Sequence, residues 1–240
     1  MAAPILAASV AMTTGMANTA QAFDLVPQQE GEVALDNLNC LTGSCLELDP
    51  IVQSVVSEQD DSTGTYSRLF VDKYDTANDY GSFGFSAKDV GTADTVGDYW
   101  FRPVAFDQNG NAIEGGELEV GTFKFVFAEI IESLTVSWFD TERSGTNYSG
   151  TVILSDGSTA SFEDKVPKGP DSNTYEKTFF NVESITLDLG QRSKNPKKTG
   201  DGVNFQVSAE PVPEPSVMLG VAAVTMMGGF ARRKQRKANA

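Results

Sequence analysis

Three carboxylates, one amide and two thiols are the side chains whose type and spacing could do chemistry. Asp107-Gln108-Asn109-Gly110-Asn111 carries oxygen ligands at alternating positions, as calcium loops do. It departs from the helix–loop–helix calcium pattern, because glycine stands fourth rather than sixth and Leu118 stands where the twelfth-position glutamate belongs. The expected reading is a hairpin turn, with calcium at Asp107 and Asn109 as the alternative. Asp140 and Glu142 form a second candidate. Positions i and i+2 of a strand share one face, so both carboxylates could reach one cation. The plainer reading is a polar strand end. Cys40 and Cys45 in NCLTGSC could close a small disulfide loop in an oxidising compartment, or remain two free thiols.

Much chemistry is excluded outright. The chain has no histidine, which removes Ser-His-Asp and Cys-His catalysis and every zinc site that uses imidazole. It has no G-x-S-x-G, no phosphate loop and no dinucleotide fingerprint. Carboxylates alone can hydrolyse glycosides, but the 33 acidic residues single out no pair. The expectation is a non-enzymatic protein without a cofactor, a glycosidase being the catalytic alternative.

The elements that must position these groups read as strands. Phe123, Phe125 and Phe127 alternate in GTFKFVFAE, and Leu134, Val136 and Trp138 alternate in SLTVSWFD. TYSRLFVD, GSFGFSA, DYWFRPVAF, TVILSDG, ASFEDKV, SITLDLG and VNFQVSA are further short aromatic or β-branched runs. Turn signals such as Asn109-Gly110, Gly115-Gly116 and Asp156-Gly157 separate them. Only PIVQSVVSE, Pro50 to Glu58, suggests a helical stripe. The pattern predicts an all-β fold, a jelly-roll-like β-sandwich over residues 60–209, preceded by an extension over 23–59 that holds the cysteines. Tyr99, Trp100 and Tyr148 are candidate exposed rings for stacking sugars, unless Trp100 belongs to the core. The basic run Arg192 to Lys198 is expected to be a solvated loop, the alternative being contact with an anionic polysaccharide or lipid headgroup.

Charge separates this body from its two ends. The formal net charge is −15. Phe23 to Pro215 holds all 33 acids but only 13 of the 18 bases, a net of −20. A body so acidic repels nucleic acid and anionic membrane. Residues 1–22 are uncharged and end in Ala20-Gln21-Ala22, a small-x-small pattern that predicts a signal peptide cut after Ala22. A signal peptide normally opens with basic residues, so an upstream start is expected. Val217 to Ala231 is an uncharged run of 15 residues, short of the roughly 20 that span a bilayer. It is apolar on every side, unlike a core helix, and ends in RRKQRK, which predicts a short transmembrane segment with a cytoplasmic tail.

Pro213-Glu214-Pro215, a brief apolar run and Arg232-Arg233-Lys234 at the C-terminus resemble, in that order and spacing, the PEP-CTERM sorting signal. Residues 210–240 are the segment concerned. The resemblance implies recognition by an exosortase, processing near the Pro-Glu-Pro element, a transient membrane intermediate and delivery to the cell surface or beyond. Glu117-Leu118-Glu119-Val120-Gly121, followed by Phe139-Asp140-Thr141-Glu142, resembles the LEVG group of PEP-CTERM proteins. That resemblance implies no defined activity. Taken alone, Leu118 and Val120 point to one strand face, and Gly121 permits a bulge or a close approach. The expected function is an exported surface or matrix protein associated with exopolysaccharide or biofilm. The alternative is a carbohydrate-binding module, with or without calcium.

Overall fold

Alternation makes strands in this chain because every second side chain can enter a core while its neighbours face outward. The computed structural model describes residues 23–41, 43–59, 64–88, 99–112, 120–141, 148–155, 161–167, 169, 173–190 and 203–211. These hold β1 (Phe23–Asp24), β2 (Gly31–Glu32), β3 (Val52–Glu58), β4 (Ser67–Lys73), β5 (Asn78–Asp79) and β6 (Gly84–Phe85). They continue with β7 (Tyr99–Ala105), β8 (Gly121–Phe139), β9 (Tyr148–Ser155), β10 (Ser161–Pro167), β11 (Thr174–Leu189) and β12 (Asn204–Pro211). The all-β expectation holds: no helix occurs among the described residues, so none there is long and apolar enough to cross a membrane.

Ten strands form one antiparallel sheet, ordered β10-β9-β11-β8-β12-β7-β4-β2, with β1 on β12 and β3 on β8. Two long strands organise it. The first part of β8 pairs with β3 and with Ser184–Leu189 of β11. Its last part pairs with β12 and with Thr174–Phe180 of β11. GTFKFVFAE and SLTVSWFD are therefore one strand, not two. Its ladder breaks opposite Val182/Ser184 of β11, at a bulge that leaves Ala128, Glu129 and Ile130 exposed. Across the break, Phe125 in the first part of β8 lies 6.0 Å from the Phe101 ring of β7 and 6.4 Å from the Phe205 ring of β12, all three in one buried cluster.

The stretch 23–59 is part of the sheet rather than an appendage to it, since β1, β2 and β3 all pair with later strands. Val52–Glu58 is a strand, not the helix its spacing suggested. Pairing along β8 buries Val55, a gain that helical spacing alone cannot offer. The Asn37 side chain bonds both backbone groups of Ser57, at 2.7 and 3.1 Å, and so stands in for a strand at that edge.

A second apolar cluster lies outside the first. β5 and β6 make a small hairpin whose Phe83 and Phe85 pack with Phe70, Val104 and Phe106. Along β4, Leu69 and Val71 belong to the main cluster while Phe70 belongs to this one. Both faces of the β4–β7 ladder are thus covered. Trp100, at 1% exposure, is buried and edge-on to Phe139 at 5.6 Å, so it offers no sugar platform.

Candidate functional site

Each sequence candidate has a definite place. Asp107 opens a hairpin closed by a bridge between Phe106 and Ala112. Its Oδ1 accepts the backbone N–H groups of Asn109 at 2.8 Å and Asn111 at 2.9 Å. The side-chain amides of both asparagines lie at 3.4 and 3.3 Å from Oδ2. The bond from the Asn111 N–H does most to hold the exposed Asp107 carboxyl below its ordinary range. The oxygens of this stretch therefore close their own turn, with Gly110 in the left-handed region at φ 79°.

Asp140 sits one residue beyond β8 at φ 55°, a conformation that strands do not adopt. The alternation that would aim Asp140 and Glu142 at one cation stops there, and Glu142 lies outside the described residues. Asn173 fixes this corner: its carbonyl accepts from the Asp140 N–H and its side-chain oxygen from the Thr141 N–H. Among the described residues no group of three or more acidic or cysteine side chains is arranged to hold a metal.

Cys40 and Cys45 are joined, with Cα atoms 5.8 Å apart. Glu32, buried on β2, holds the loop from beneath. One of its oxygens accepts the Leu41 N–H at 2.6 Å, and the other pairs with Arg68. Arg68 also donates to the Asn39 carbonyl at 2.6 Å and lies over the Phe106 ring.

In the LEVG stretch, Leu118 and Glu119 fall outside the described residues, but Val120 and Gly121 are placed. Val120 is buried and its carbonyl accepts the Ser67 hydroxyl at 2.8 Å. A Cβ at Gly121 would stand 2.6 Å from Ser67 Cβ and 2.7 Å from the Phe123 ring. The glycine serves a close approach. Ala20, Ala22, Pro213, Glu214, Pro215, Arg232, Arg233, Lys234 and the basic run 192–198 also lie outside the described residues. So do the side chain of Tyr148 and the turns at Gly115-Gly116 and Asp156-Gly157.

A buried polar network, invisible to strand patterns, runs under the β5–β6 hairpin. Arg102 Nη1 donates to Asp72 Oδ2 at 2.8 Å, and its guanidinium lies 4.4 Å from the centre of the Phe85 ring. Asn78 Nδ2 donates to Glu30 at 2.7 Å. Burial pushes the Asp72 carboxyl up despite Arg102. Burial, then the charges of Asp72, Glu30 and Glu32, holds the Tyr80 hydroxyl well above its usual value. Asp72 and Arg102 are buried beneath the hairpin, while Glu30, Asn78 and Tyr80 are half-buried at its edge, so the network fastens it to the sheet.

Two open grooves flank the disulfide loop. One, of about 790 Å³, is lined by acidic Glu30, Glu47 and Asp79, together with Cys45 and Tyr80. The other, of about 380 Å³, lies among Leu41, Tyr66, Arg68, Phe106, Asp107 and Gln108. Leu41 at 44% and Tyr66 at 38% are two of the few large apolar side chains left exposed among the described residues. The sequence reading missed Tyr66. One signal was available: Tyr66, Arg68, Phe70 and Asp72 share the strand face opposite Leu69 and Val71, a mixed set that an ordinary solvent face does not carry. No family model matches the chain, and no curated protein matches it.

Proposed function

We propose that this chain is an exported, non-enzymatic surface or matrix protein, sorted by an exosortase and working among exopolysaccharide or in biofilm. Its body is a jelly-roll-like sandwich, made by the ladder break in β8 that lets Phe125 meet Phe101 and Phe205. It passes through a membrane intermediate anchored by residues 217–231, and it has no nucleic-acid partner. The observation that carries this reading is the antiparallel pairing of Phe23 with Ala209. The first described strand begins one residue after the expected cut at Ala22. The last ends at Pro211, two residues before Pro213-Glu214-Pro215. The paired strands thus stop short of the expected cut and of the Pro-Glu-Pro element, although β12 takes in Glu210 and Pro211, the first two residues of the 210–240 segment. The test is Glu214→Ala in a host that carries an exosortase. We expect unprocessed precursor to accumulate in the membrane fraction. Normal processing and surface delivery of the variant would overturn the reading.

A second reading, carbohydrate binding, is favoured by the Tyr66 groove rather than by Trp100. It is drawn without calcium, since Asp107 Oδ1 is occupied by the N–H groups of Asn109 and Asn111.

A further inference from the structure

We propose that the groove between the Cys40–Cys45 loop and the Asp107 hairpin binds a neutral polysaccharide chain, with Tyr66 as its stacking platform. The inference specifies the ligand class and site of the carbohydrate-binding reading and rests on it. It is independent of how the protein is sorted.

Three segments far apart in sequence build the groove. The disulfide loop and the residues before it bring Leu41 and Leu38, the β3–β4 connection brings Gly64, Thr65 and Tyr66, and the hairpin after β7 brings Phe106, Asp107, Gln108 and Gly110. Each is fastened. The Tyr66 backbone is bridged to Gln59, whose side chain donates to the Gly64 carbonyl. Leu41 is held by the disulfide and by Glu32. The Asp107 hairpin is closed by its own carboxylate. A site prepared in this way loses little conformational freedom on binding.

The lining then selects the ligand. Phe106, 6% exposed, makes an apolar floor, while Tyr66 and Leu41 stand open beside it. A pyranose ring presents a face of C–H groups that lies against an aromatic ring, and hydroxyls around its edge that need hydrogen-bond partners. Asp107 Oδ2 has only long amide contacts, at 3.3 and 3.4 Å, and can take a hydroxyl instead. An acidic sugar meets opposition. The Arg68 charge is matched by buried Glu32, and Asp107 is held ionised. The surrounding body is strongly acidic. A volume of about 380 Å³ lies within the range of small-ligand sites, about 300–1,000 Å³, and the open ends admit a chain that continues past it.

The test is calorimetric titration of the full chain in a sugar-free zwitterionic detergent. The probes are cello-, malto-, xylo- and galacto-hexaoses, with an oligogalacturonate of equal length as the anionic arm. We expect at least one neutral hexaose to bind and the galacturonate not to bind. Tyr66→Ala should weaken the neutral ligand about tenfold or more, a loss of about 1.4 kcal/mol. Tyr66→Phe should keep most of the affinity, and Ile153→Ala, exposed on β9, should leave it unchanged. Thermal midpoints equal to the parent's confirm that the variants are folded. Failure of every neutral probe, a preference for the galacturonate, or undiminished binding by folded Tyr66→Ala would each overturn the proposal. Binding that survives Tyr66→Ala but still prefers neutral glycans would spare the broader carbohydrate reading and reject this site.

Discussion

Arg102 and Asp72 form an ion pair at 2.8 Å in which each side chain is 2% exposed. It lies between the β4–β7 ladder and the β5–β6 hairpin, and Phe85 covers the guanidinium. Water cannot compensate either charge if its partner is lost. Asp72→Ala should therefore cost about 3–5 kcal/mol, the usual penalty for stranding a buried charge. The double replacement Asp72→Leu with Arg102→Met should cost less than the single one, because neither charge is then left alone. Denaturant unfolding of the two variants against the parent measures both values. A double variant less stable than the single would refute this account of the pair.

Gly121 gives a prediction of another kind. Its missing side chain leaves room for Ser67 and Phe123, both fully buried. Gly121→Ala must push β8 away from Ser67 and weaken the bond from its hydroxyl to the Val120 carbonyl. We expect a loss of about 1–3 kcal/mol, typical of an overpacked core. Ser67→Gly in the same chain should recover part of it by clearing the nearest contact. Thermal unfolding of the single and double variants distinguishes this from a mere change in strand propensity, which Ser67→Gly would only worsen.

How far the sequence could be read depended on whether a signal was local. TYSRLFVD and DYWFRPVAF announce strands because Leu69, Val71 and Phe101 alternate with residues of other character. The same alternation cannot say that Phe139 packs edge-on against Trp100, so Trp100 could be read as exposed. Val52–Glu58 fits a helical stripe as well as a strand, and only its pairing with β8 decides. The Asp107 turn was legible, since Asp, Asn and Gly in that order favour their own backbone. The groove was not. Leu41, Tyr66 and Phe106 come from three segments, and no spacing within any one of them shows that they meet. The Cys40–Cys45 pairing was available from proximity in sequence, but its attachment to Glu32 and Arg68 was not.

That attachment bears on the disulfide. With five residues of sequence separation, the closed loop is small, and chain-entropy reasoning gives about 2 kcal/mol for the crosslink. Cys40→Ser with Cys45→Ser should lower stability by about that amount. Because Glu32 still holds the Leu41 N–H, the sheet itself should stay folded. The expected signature has two levels: amide exchange in β8 and β11 rises by no more than the roughly thirtyfold that 2 kcal/mol allows, and at residues 39–46 it rises further. Loss of exchange protection across β8 and β11 would show the crosslink to be a global requirement.

Asp107 offers a titration whose sign is fixed by its partners. Hydrogen bonds, foremost that from the Asn111 N–H, hold its carboxyl below the unfolded value of 3.8. The folded state therefore binds this proton less tightly than the unfolded chain. The contribution of the turn to stability is present above pH 3.8 and is lost as pH falls through the lower folded value. Protonation removes the charge that Asn109 and Asn111 share, so their amide resonances should move together with a midpoint below 3.8. Asp107→Ala should abolish that movement and leave the amide of Arg102, on β7, unaffected. Because Asp107 borders the Tyr66 groove, affinity for a neutral hexaose should fall over the same pH interval. Midpoints at or above 3.8 for the two amides would mean that the carboxylate does not close this turn.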